Sequence, residues 1–268
     1  MLKKLLKYDL RAMFKYFIPM TIFVFAYSLL GTLFFHIEDI GKYNAAIPRL
    51  LIVGTIIGFV LILIAYSIIT QGIIVVDFFK TMVTDRGYLT HTLPVKKSSI
   101  LISKYIAGTI LQVISLIVMA ISLMTFLDIP RLLITNSHLI GEVFKELFTN
   151  ISTSTIVLSV ISFIICCFAS IFFSLATYFL AIAIGQRMNH HKIVGSIVAY
   201  GVLSIVIQIF SSICGFSLQL SSEIATAETF SLLSLPLFLA GMSVVLVILA
   251  FVMTIIIYEF FNKKLNLD

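Results

Sequence analysis

Apolar residues run along the chain in six long blocks, separated by connections that hold most of its charge. The blocks cover residues 16–35, 50–76, 106–127, 155–184, 193–216 and 236–258. A tilted transmembrane helix needs about 20 apolar residues, and each block meets that length. A membrane β-barrel would instead show segments of about ten residues alternating in hydropathy, and these blocks do not alternate. The pattern predicts an all-α membrane protein in which residues 1–268 form one domain of six transmembrane helices. The first block follows a basic segment, as a signal peptide would. It is too long for a signal h-region and no A-x-A site follows it, so it is read as a retained span.

The connections add detail. Residues 2–15 predict an N-terminal amphipathic interfacial helix. At about 100° per residue, Lys4, Lys7, Arg11 and Lys15 share one arc, opposite Leu2, Leu5, Leu6, Leu10, Met13 and Phe17. Such a helix is expected to lie in the membrane interface, anchored through Lys3, Lys4, Lys7, Arg11 and Lys15 to lipid phosphates. Asp9 falls inside the apolar arc, which suits either a basic partner on a neighbouring element or a snorkelling carboxylate. Residues 139–148 (LIGEVFKELF) read as a second short surface helix. The connection 217–235 has no Pro or Gly, which leaves short helical turns open to it.

Composition excludes a soluble fold. Of 268 residues, 60% are hydrophobic and 11% charged, and the mean hydropathy is +1.16. Soluble domains carry about a quarter charged residues. Six spans consume nearly the whole length and leave no room for a soluble catalytic domain. The net charge of +6 is explained by its distribution. Every Lys and Arg except Lys42, Arg49, Arg131 and Lys145 falls on one side of the predicted membrane. Glu38, Asp39, Asp128, Glu142, Glu146, Glu223 and Glu228 fall on the other. The positive-inside rule then places both termini in the cytoplasm, and no nucleic-acid partner is needed. Cys166, Cys167 and Cys214 all lie in apolar stretches and read as packing residues, since neither a disulfide framework nor zinc spacing is present.

The connection 77–104 (DFFKTMVTDRGYLTHTLPVKKSSILISK) is different in kind. Phe78, Phe79, Met82, Tyr88, Leu89 and Leu93 sit among its charges, which predicts a short helix burying one face outside the bilayer. Gly87 permits a sharp bend and Pro94 ends any preceding helix. Asp85-Arg86-Gly87-Tyr88-Leu89, Leu93-Pro94-Val95 and Lys104 together resemble the type-2 ATP-binding-cassette exporter permeases, although many members have Glu where this chain has Asp85. The basic amphipathic N-terminus is similar to that family's interfacial helix. The resemblance implies a half-transporter in a bacterial plasma membrane, paired with a second permease subunit as a homo- or heterodimer. It implies a cytoplasmic coupling helix within 77–99 that docks on a separate ATP-binding subunit. The contact would run through Asp85, Arg86, Gly87, Tyr88, Leu89, Thr90, His91, Leu93 and Pro94. ATP and Mg would sit on that partner, and the exported substrate would be amphipathic: an antimicrobial peptide, a drug or a lipid-like molecule. Independently of the resemblance, the chain has no GxxxxGK[ST] loop to cradle ATP.

Other features fit packing or a pathway. Gly54-x-x-x-Gly58 is a close-packing signature. Ser162, Cys166, Ser170 and Ser174 repeat every four residues, and Gln71, Gln112 and Gln208 are the most polar groups deep in spans. Each set admits either reading. No Asp, Glu, His or Arg lies near mid-span, which weakens ion-coupled transport. His190 and His191 read as a solvated turn or a further contact with the ATP-binding partner. No HExxH, Glu-Glu pair or GxSxG supports an intramembrane hydrolase, and no catalytic or metal-ligating residue is assigned. A non-transporting immunity or signalling protein stands as the alternative to an exporter.

Overall fold

A computed structural model describes residues 2–36, 46–84, 97–129, 153–187, 192–224 and 234–263, with isolated positions between 131 and 145. Most of them lie in six long helices: α1 (Leu2–His36), α2 (Ala46–Met82), α3 (Lys97–Phe126), α4 (Thr153–Gly185), α5 (Lys192–Ile224) and α6 (Ser234–Lys263). No strand occurs among the described residues. All six helices are long and apolar enough to cross a membrane. The chain is an all-helical, multi-pass membrane protein.

The helices outrun the apolar blocks, because charge ends a block without ending the backbone hydrogen-bond ladder. α1 spans 35 residues, about 52 Å at 1.5 Å per residue. It passes without interruption through Pro19, so the expected interfacial helix 2–15 and the first span are one element. The phase of the apolar face accounts for this. Met13 and Phe17, the inner end of the N-terminal arc, are buried, and the same stripe continues through Val24, Ser28 and Gly31. A single helix keeps that stripe against its neighbours from end to end. Residues 77–82, expected in the coupling region, are likewise the last turns of α2. α3 begins at Lys97, ahead of its apolar block. Of the surface helix expected at 139–148, only residues 141, 142 and 145 are described, and they are helical.

The chain divides into two compact units. The first comprises residues 1–77 and 106–144, and the second 78–105 and 145–268. In the first, α1 and α2 run antiparallel. The Phe17 and Tyr66 rings lie 5.9 Å apart and Tyr27 stacks on Phe59 at 6.4 Å. The Tyr27 hydroxyl donates to the Thr55 carbonyl at 3.4 Å. α3 joins through Phe126, which stacks on Phe59 at 3.9 Å and lies directly over Gly31. The helix then ends on Asp128, whose φ of 49° is the left-handed conformation that stops helices. Pro130 follows two residues later.

In the second unit α4 packs along α6 and, less extensively, along α5. The buried positions of α6 include Pro236, Ser243, Ala250 and Ile257, one every seven residues, with Phe261 one turn further on. Those of α4 include Thr155, Ser162, Ala169, Ala176 and Ala183, at the same spacing. Thr177 Oγ1 reaches Met253 Sδ at 3.9 Å across this pair. Apolar burial gives little net gain between helices in lipid, so small residues that let backbones approach are what holds such a seam. A seven-residue repeat keeps the seam aligned as the helices supercoil.

Candidate functional site

The C-terminal end of α2 leads into residues 85–96, where the sequence places the partner contact. Those residues, and with them Asp85, Arg86, Gly87, Tyr88, Leu89, Thr90, His91, Leu93 and Pro94, lie outside the described residues. What the structure describes is the base from which this connection departs.

A helix end leaves its last four carbonyls without intrahelical partners. At α2 these belong to Phe79, Lys80, Thr81 and Met82. The Val83 amide donates to Phe79 O at 2.9 Å and Thr84 Oγ1 to Lys80 O at 2.7 Å. The third bond comes from far along the chain: Gln186 Nε2 donates to Met82 O at 3.4 Å. Gln186 stands one residue beyond α4 and is buried, as are Met82 and Val83.

Below this cap lies an aromatic cluster. Phe78 is fully buried, stacks on Phe179 at 3.9 Å and meets Phe261 edge-on at 6.0 Å. Tyr105 of α3 meets Phe179 edge-on at 4.9 Å, stacks on Phe172 at 4.9 Å and shares a 2.9 Å hydrogen bond with Thr254. Rings from α2, α3, α4 and α6 thus interlock around the root of the connection. Lys104, the lysine that closes the sequence motif, is buried beside Tyr105 in α3. Arg187 covers the Phe260 ring at 4.4 Å, a cation–π contact. A Cβ at Gly185 would collide with the Ser196 backbone, so α4 and α5 approach closely there.

The basic residues of α1 are placed as their spacing requires. Lys3, Lys4, Lys7, Arg11 and Lys15 are all exposed and Asp9 is half-buried. Gln71 and Gln112 are half-buried in the first unit, while Gln208 is exposed in the second. Among Ser162, Cys166, Ser170 and Ser174, only Ser162 is buried on the α4 seam, and Ser170 is exposed. A four-residue step overshoots a turn by about 40°, so these positions wind away from the seam. Gly58 lies under the Tyr27 hydroxyl, whereas Gly54 faces open space; among the described residues the glycine pair therefore packs at Gly58 and not at Gly54. His190 and His191 lie outside the described residues.

Gln186, Phe179 and Phe261 were not singled out by sequence. Phe is too common here to mark two of its 24 residues. The available signal was Gln186 itself, a polar residue two positions after the apolar block 155–184. No protein-family model, curated protein or solved structure matches this chain.

Proposed function

We propose that this chain is the permease subunit of an ATP-driven exporter. It forms half of a translocation pathway, completed by a second permease subunit, and is driven by a separate ATP-binding-cassette subunit that holds ATP and Mg. Residues 85–94 are the docking element, on the cytoplasmic face of a bacterial plasma membrane, and the substrate is amphipathic.

The observation that supports this best is how the root of the 85–96 connection is fastened. A segment that transmits force must be fixed to the helices it moves, since a loose tether would absorb the displacement. Here the departing strand of chain is tied by the Gln186–Met82 bond and the Phe78–Phe179–Phe261 cluster. A displacement at residue 85 would therefore be passed to α4 and α6 together. The residue pattern of the connection, described above, supplies the docking surface.

The test is co-purification with a P-loop ATPase encoded beside this gene. Wild-type chain is expected to retain the ATPase, and Gly87→Lys or Leu89→Glu to lose it while still folding. A complex that survives both substitutions would overturn the assignment.

A further inference from the structure

The N-terminal half of α1 carries two adjoining grooves of different chemistry. The first is lined, among the described residues, by Lys4, Lys7, Tyr8 and Arg11. Three cations and a phenol converge there, and no carboxylate lines it among the described residues. The second is lined by Lys3, Leu6, Lys7, Leu10, Arg11 and Phe14. Its floor of Leu6, Leu10 and Phe14 is apolar and its rim of Lys3, Lys7 and Arg11 is cationic. Lys7 and Arg11 belong to both.

The helix period produces this layout. Positions 4, 7, 8 and 11 stack on one face, and positions 6, 10 and 14 stack on the next. No ion pair to Lys4, Lys7 or Arg11 forms among the described residues, so their charge is available to a ligand. A cationic pocket alone would suit any phosphate. A cationic pocket sharing two residues with an apolar trough suits a molecule that joins an anion to a hydrocarbon chain.

We infer that this face of α1 is a binding site for an anionic membrane phospholipid. The phosphate sits among Lys4, Lys7, Tyr8 and Arg11, and an acyl chain lies along Leu6, Leu10 and Phe14. The site differs from diffuse interfacial anchoring because it assigns distinct roles to neighbouring lysines. Lys4, Lys7 and Arg11 hold the headgroup, whereas Lys15, which lies against the Tyr16 ring, does not. This inference needs only the membrane-spanning fold and stands apart from the exporter reading.

Native mass spectrometry of the purified full-length chain tests it, with dioleoyl phosphatidylglycerol and dioleoyl phosphatidylcholine added in turn. The wild-type chain is expected to retain phosphatidylglycerol selectively. Each basic residue near a lipid surface adds about 1 kcal/mol, so Lys4→Gln/Lys7→Gln/Arg11→Gln should weaken retention about a hundredfold. The charge-matched Lys80→Gln/Lys145→Gln/Lys192→Gln variant should bind as wild type. If the first triple variant does not purify, Arg11→Gln alone, at an exposed position, should still rank below Lys15→Gln. Glycerol phosphate, which has the headgroup chemistry without the chain, should not compete. Equal retention of both lipids, equal behaviour of the two triple variants, or full competition by glycerol phosphate would each overturn the assignment.

Discussion

Gln186 and Met82 stand 104 residues apart in the chain, and the Gln186 side-chain amide donates to the Met82 carbonyl at 3.4 Å. That bond supplies a carbonyl left open by the end of α2 and fastens the α4 terminus to the chain entering the 85–96 connection. Both residues are buried, so water is not a ready substitute.

Replacing Gln186 with Leu should leave the Met82 carbonyl buried without a donor, a loss of about 1–3 kcal/mol. A lower thermal midpoint in detergent, with faster hydrogen exchange at residues 83 and 84, is the expected result. Unchanged exchange there would show that the bond does not hold the end of α2. In the assembled complex the same variant should hydrolyse ATP with weakened transport, if residues 85–94 dock as proposed.

Phe78→Ala should be the most damaging single truncation at this site. The ring is fully buried and packed face to face on Phe179, and Phe→Ala in a core costs about 3–5 kcal/mol. Phe78→Leu should retain roughly half of that. Thermal unfolding of the two variants side by side is the check, and equal midpoints would place Phe78 on a lipid-facing surface instead.

Glycines of identical type should respond in opposite ways. A Cβ at Gly185 would collide with the Ser196 backbone, while one at Gly54 meets nothing. Gly185→Ala should therefore destabilise by about 1–3 kcal/mol. Gly54→Ala should be neutral or stabilising by up to about 1 kcal/mol, as Ala favours the helix. A loss at Gly54 comparable to that at Gly185 would reveal a neighbour at that position, such as a second subunit.

Ser122 offers a gain. Its side chain is fully buried and its Oγ has no hydrogen-bond partner among the described residues. Ser122→Ala removes an unsatisfied hydroxyl and should raise the thermal midpoint, by the equivalent of about 1 kcal/mol. A drop would mean that the hydroxyl is satisfied by something bound.

Much of the architecture could be read from residue order alone. Six spans followed from block length, and the solvent-facing Lys4, Lys7, Arg11 and Lys15 followed from helical spacing. Both are local properties, carried by hydropathy and period within one segment. α1 and α2 extend past the points where charge interrupts the hydropathy pattern. The backbone ladder is indifferent to Lys15 or Asp77, and the buried stripes through Met13–Phe17 and Phe78–Met82 kept it intact.

The candidate site was legible only at its edge. Motif residues 85–94 stood out by chemistry, but the cap and ring cluster behind them did not. In a chain this apolar, hydropathy no longer separates a residue packed on protein from one facing lipid: Phe179 is buried and Phe168 exposed, though both are Phe in α4. Shape makes that distinction, and shape depends on which helix lies alongside. The choice of a seven-residue seam through Ala169 and Ala176 over the four-residue row through Ser170 was settled by α6. The pairing of Gln186 with Met82 was settled by the meeting of two helix ends. Local pattern therefore prescribed how often the chain crosses the membrane and where its charge lies, because those depend on solvent. Long-range packing prescribed which side chains act together, because that depends on contact.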